Sequence, residues 1–166
     1  MLPLFLYIRG MTNLALVLLS ILSGCLILLQ SSLNGQLSKY THNPFFSSFV
    51  LYFFSAVFMM FIFLSTRLKI PSLEVIKEVP LYLWGAGSIL SIVGLTLVYW
   101  LMPILGVSKV LSGIITGQII AGMIVSHFGF FDLPVIEINR YKILGVAFLF
   151  IGVYFINWSA INETVK

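Results

Sequence analysis

Hydrophobic positions run through this chain in five long blocks, at about 12–36, 44–66, 81–102, 107–128 and 141–158, broken by short clusters of polar residues, prolines and glycines. The hydrocarbon core of a bilayer is about 30 Å thick and an α-helix rises about 1.5 Å per residue, so roughly 20 mostly apolar residues cross it. The five blocks meet that length. All five carboxylates, Glu74, Glu78, Asp132, Glu137 and Glu163, lie between or beyond them. The pattern predicts an all-α, polytopic membrane protein with five transmembrane helices in one domain over 12–158, followed by a polar tail at 159–166. Residues 1–11 read as an amino-terminal extension, because Met11-Thr12-Asn13 offers a second start. The helical pattern carries on through Gln30 to Ser38 with no small-residue cleavage site, so the first span is expected to be retained.

Turn chemistry sets the expected boundaries. Helix in the first span should continue to Tyr40. Asn43-Pro44 should open the second, since proline suits the first helical turn and asparagine caps it. Pro71-Ser72 with Glu74, Lys77 and Glu78 predicts a polar turn containing one short interfacial helix. Pro80 opens the third span, with Trp84 and Trp100 near its two ends at headgroup level. Pro103-Ile104-Leu105-Gly106 should break the helix before the fourth span.

Composition agrees with the pattern: 60% of the 166 residues are hydrophobic and 8% charged, against about 25% charged in soluble domains, and the mean hydropathy is +1.12. The net charge of +4 comes from cations scattered through short loops. It forms no basic stripe for nucleic acid, and its use is topological. Arg9, Arg67, Lys69, Lys77, Arg140 and Lys142 fall on the amino-terminal side, against Lys39, Lys109 and Lys166 on the other. The expected orientation therefore has the amino terminus cytoplasmic and the carboxyl terminus outside. Cys25 is the lone cysteine; it offers no disulfide or Cys/His metal site and reads as a small packing residue. Membrane lipid is the first partner, and no cofactor is implied. So few spans leave much of their surface to lipid or to another subunit, which makes self-association or a paired homologous subunit an expectation.

Candidate chemistry lies inside the spans. At about 100° per residue, Ser20, Ser23, Gly24, Ile27, Gln30, Ser31, Asn34 and Ser38 share one arc of about 120°. Polar groups in a span face a bundle interior or a cavity, which selects Gln30 and Asn34 as pathway residues, with Gln118 and Trp84 behind them. The competing reading of the stripe is interhelical packing. In the fourth span Gly113, Gly117 and Ala121 recur every four residues as a helix-packing ridge. Lys109 either contacts a charge or snorkels to the headgroups. Histidine titrates near neutral pH, which marks His127, although a place at a helix end beside Asp132 more often means a structural cap or an interface contact. His42, in a loop, carries less weight. The chain has no H-E-x-x-H, no G-x-S-x-G, no phosphate-binding glycine loop and no pair of carboxylates at membrane depth, so no enzyme is read from it.

Leu33-Asn34-Gly35-Gln36-Leu37, Asn43-Pro44-Phe45, Trp84-Gly85-Ala86-Gly87, Pro103-Ile104-Leu105-Gly106, Gly117-Gln118 and Ser126-His127-Phe128-Gly129 follow one another in an order that resembles the YdcZ-like family. That family is the short five-helix branch of the bacterial drug/metabolite transporter superfamily. The resemblance covers about 11–156 and implies a bacterial inner-membrane protein equal to one half of a ten-helix transporter, a small-molecule exporter subunit acting as a dimer. Related small multidrug transporters carry a membrane-embedded glutamate in their first helix; here that helix offers Ser, Gln and Asn, and a neutral amide does not carry the exchanged proton. A non-transporting assembly or regulatory subunit is the alternative from a different class.

Overall fold

The computed structural model describes residues 13–66 and 70–163, with side chains as far as 158. The extension at 1–11 and the cations Arg9, Arg67, Lys69 and Lys166 lie outside the described residues. Helix α1 is Asn13–Thr41, α2 is Pro44–Ser65, the short α3 is Leu73–Glu78, α4 is Ala86–Leu105, α5 is Val107–Phe128 and α6 is Arg140–Glu163. A 3-10 turn, Leu81–Trp84, leads into α4. Five segments are long and apolar enough to cross a membrane: Asn13–Thr41, Pro44–Ser65, Leu81–Leu105, Val107–Phe128 and Arg140–Trp158. No strand occurs among the described residues, so the protein is an all-α polytopic membrane protein.

Local chemistry accounts for most helix ends. Asn43 Oδ1 accepts from the Phe46 backbone N–H at 3.1 Å, with Pro44 in the first turn of α2. Ser72 caps α3 in the same way, and Asn139 Oδ1 accepts from the Lys142 N–H at 3.0 Å ahead of α6. Each side chain satisfies a donor that the first helical turn leaves unpaired.

The third span ends differently from the expectation. α4 carries Pro103 inside it and runs to Leu105. A proline in the last turn forfeits one bond close to the helix end, which the helix tolerates. The break falls at Gly106 alone, whose φ of +83° is open to glycine because it has no Cβ. α6 likewise continues as helix through Glu163, past the expected end at 158.

The described helices divide into two compact units, Met1–Trp100 and Leu101–Lys166. In the first, α1 packs against α2. Ser31, Gly35 and Ser38 of α1 are buried, with Ser47 and Ser48 of α2. These small side chains let two backbones approach closely, which is how helices associate where lipid offers no hydrophobic drive. All five lie near the α1–α2 connection. The preceding half of α1 has little cover, and Cys25 there is exposed, not packed as the sequence suggests. In the second unit α5 packs against α6, burying Val110 and Ser112.

Candidate functional site

Three interhelical bonds between side chains tie the first unit together. Gln30 Nε2 donates to Tyr99 Oη at 2.7 Å, joining α1 to α4. Ser48 and Thr96 hydroxyls lie 2.7 Å apart, and Tyr52 Oη lies 2.6 Å from Ser91 Oγ, both joining α2 to α4. Ser48 Oγ also donates to the Pro44 carbonyl at 3.1 Å. A hydroxyl has one proton, so Thr96 is the donor to Ser48. Tyr99 and Ser47 are fully buried, and Thr96 and Ser48 nearly so. On α4, Ser88, Ser91, Thr96 and Tyr99 fall within an arc of about 140° at 100° per residue, so one face of this helix carries its polar side chains while the rest is apolar.

Beside this seam lies a half-open groove of about 380 Å³ between α2 and α4, lined by Phe45, Ser48, Phe49, Tyr52, Ser88, Ile92 and Thr96. A vestibule of about 410 Å³ shares Phe45 and Thr96 with it and adds His42, Pro44, Leu97 and Trp100. A third cavity of about 310 Å³ shares His42 and is otherwise lined by Gln36, Lys39 and Tyr40 at the end of α1. The three adjoin through shared residues. They grade from a polar end at the α1–α2 connection, the mouth, which bears one lysine, to an aromatic stretch dotted with hydroxyls. His42 itself holds a φ of +52°, an uncommon conformation for a non-glycine residue, in the tight α1–α2 connection.

The residues singled out from sequence fall in several places. Gln30 is half-buried and bonded across helices as above. Asn34 Nδ2 donates to the Gln30 backbone carbonyl at 2.9 Å, back onto its own helix. The amino-terminal part of the polar stripe is exposed: Ser20 and Ser23 bond to carbonyls of α1, and Ile27 is uncovered. Trp84 and Gln118 are exposed. None of Gln30, Asn34, Gln118 and Trp84 is in the lining of the three cavities. Gly113, Gly117 and Ala121 are also exposed, and a Cβ built on either glycine meets open space.

In the second unit Asn157 Nδ2 donates to Ser112 Oγ at 3.0 Å and to the Val153 carbonyl at 2.7 Å, while its buried Oδ1 has no partner. Lys109 is half-buried, and its backbone carbonyl accepts from Ser112 Oγ at 2.8 Å. His127 Nδ1 accepts from the Ile138 backbone N–H at 3.3 Å, and the Ser126 carbonyl accepts from the Ile136 N–H at 2.9 Å. Lys142 Nζ reaches the carbonyls of Ile136 and Glu137. The connection between α5 and α6 is thus folded onto the end of α5, with His127 in a structural contact. No ion pair joins His127 to Asp132 among the described residues.

The first unit offers hydrogen bonds from neutral hydroxyls, aromatic walls and one exposed ammonium at the mouth. None of the described spans holds a carboxylate, and the polar groups available within the first unit's spans, Lys39 at the mouth apart, are chiefly hydroxyls and amides. Sequence reasoning missed Ser48, Tyr52, Ser88, Thr96 and Tyr99. The one-sided spacing of the polar residues on α4 was the available signal.

A family model described as "Putative inner membrane exporter, YdcZ" matches residues 15–155. The chain belongs to this YdcZ-like family of the drug/metabolite transporter superfamily, whose description is that of an inner-membrane exporter. No curated protein and no solved structure gave a significant match.

Proposed function

We propose that the chain is one subunit of a small-molecule exporter that works as a pair, and that the α2/α4 groove of its first unit is part of the solute path. The observation that carries this reading is a hydroxyl-lined, aromatic-walled space of about 380 Å³ within membrane-spanning helices. Small-molecule sites fall in the range of about 300–1,000 Å³ and combine apolar walls with a few polar groups. Ser48, Tyr52, Ser88 and Thr96 supply those polar groups. Gln30 acts as a positioning residue, holding Tyr99 on the face of α4 that presents them. A pair is supported by the exposed Gly113/Gly117/Ala121 ridge, whose small side chains fit a second helix. The amino terminus is cytoplasmic in this reading, by the loop cations.

Flux from reconstituted vesicles tests it, with labelled 4-bromobenzenesulfonate and 4-bromophenyltrimethylammonium as solutes. At least one should leave faster than from protein-free vesicles. Ser88→Phe, which fills the groove, should cut that flux about tenfold, and Gln118→Leu should leave it in place. Flux unchanged by Ser88→Phe overturns the path.

The exposed ridge also suits a non-transporting assembly subunit. That reading predicts no flux of either solute from the wild-type protein, together with an oligomer that Gly117→Leu dissociates.

A further inference from the structure

The cavities of the first unit differ in charge from end to end. Lys39 is exposed at the mouth, in the last turn of α1. Its charge complements the carbonyl end of that helix, yet an ammonium has three donors and Lys39 has no ion pair among the described residues. No carboxylate lines any of the three cavities. The first unit's described acids, Glu74 and Glu78, sit on α3 in the connection that follows α2, at the other end of that helix from His42. Past the mouth the walls are Phe45, Leu97 and Trp100. Farther in, Ser88 makes no side-chain hydrogen bond among the described residues, which leaves its hydroxyl open to a bound molecule.

We infer that these adjoining cavities form one binding site for an amphipathic organic anion, its acid group at Lys39 and His42 and its apolar body against Phe45 and Trp100. The inference rests on the exporter reading for its purpose, but binding is a separate property. Continuity comes from the shared residues: His42 joins mouth to vestibule, and Phe45 and Thr96 join vestibule to groove. An anion meets the lysine and no opposing acid. A cation with the same ring gains the same walls but meets the lysine's repulsion, with cation–π attraction to the ring faces as the charge-dependent force on its side. A neutral alcohol gains the walls without the charge.

Bromine quenches indole fluorescence at contact, which makes Trp100 a reporter in a Trp84→Phe/Trp158→Phe background. Three probes share one ring: 4-bromobenzenesulfonate, 4-bromobenzyl alcohol and 4-bromophenyltrimethylammonium. The sulfonate should quench saturably and bind about tenfold more tightly than the ammonium. Lys39→Gln should weaken the sulfonate by about two- to fivefold and leave the alcohol unchanged, and Lys39→Arg should restore the sulfonate. Unaltered helix content and elution volume keep these variants comparable. Equal or tighter binding of the ammonium, or sulfonate binding indifferent to Lys39→Gln, overturns the proposal. Anion-selective binding without vesicle flux would remove the exporter reading and keep the site. Flux with no anion preference would remove the site and keep the exporter.

Discussion

Within residues 13–100, polar side chains from three spans bond to one another, in the pairs Gln30 with Tyr99, Ser48 with Thr96 and Tyr52 with Ser91. Within 101–158 a single side-chain bond between helices, Asn157 to Ser112, does the corresponding work and leaves one buried oxygen unpartnered. The second unit places its other polar contacts at the end of α5, where backbone groups and Lys142 hold the loop. In lipid an unpaired polar group is costly, so the difference shows where each unit can be changed. The first is a satisfied network beside open grooves. The second is a close helix pair with one imperfect amide and a sealed loop.

Breaking the comparison at its strongest point gives the largest effect. Tyr99→Ala removes a fully buried ring and one end of the α1–α4 bond, and should cost about 3 kcal/mol, read as a lower denaturant midpoint in detergent. A loss confined to a few tenths would mean that Tyr99 does not hold the first unit together.

Next in size is the loop of the second unit. Gly129 has a φ of +63°, and a Cβ there would lie 2.7 Å from Val135 Cγ2. The left-handed conformation costs an ordinary residue about 1–2 kcal/mol, so Gly129→Ala should destabilise by at least that. Adding Val135→Ala should recover the part due to the clash and leave the backbone part. Full recovery would contradict the backbone argument.

A double-mutant cycle on Ser48→Ala and Thr96→Val should give a coupling of about 0.6 kcal/mol, the usual worth of a hydrogen bond between membrane helices. Zero coupling would dismiss the bond as a stabilising contact. Smallest of all, Asn157→Leu should be near neutral in stability. It deletes the bonds to Ser112 and to the Val153 carbonyl but also the unpartnered oxygen, and Ser112 Oγ keeps its bond to the Lys109 carbonyl, so little is left unsatisfied. A loss above about 2 kcal/mol would show that Oδ1 has a partner of its own.

Much of the fold was legible in the residues. Five apolar blocks, the Asn43-Pro44 start, the short helix after Ser72 and the 107–128 span follow from hydropathy and from capping and turn chemistry, which act over a few neighbours. The order of short motifs carried the family. Less of the candidate site was legible. The stripe on α1 drew attention to Gln30 and Asn34, but helical periodicity specifies a face and not what that face meets. Asn34 turns back to its own helix, and Gln30 meets a tyrosine 69 residues away. His42 looked unimportant as a loop residue, yet it joins two cavities because the α1–α2 connection folds it toward α4. The ridge on α5 has packing composition, and it faces outward.

The sequence by itself determined the class, the number of spans, their acid-free interiors and the family, since each of these depends on composition or on spacing along one helix. Only the tertiary structure decided which polar faces are joined, that Pro103 lies inside a helix, that Cys25 is exposed, and where the grooves open. Those are contacts between segments far apart in the chain, and in lipid they are chosen by the fit of small side chains and the pairing of polar groups, which no single helix contains.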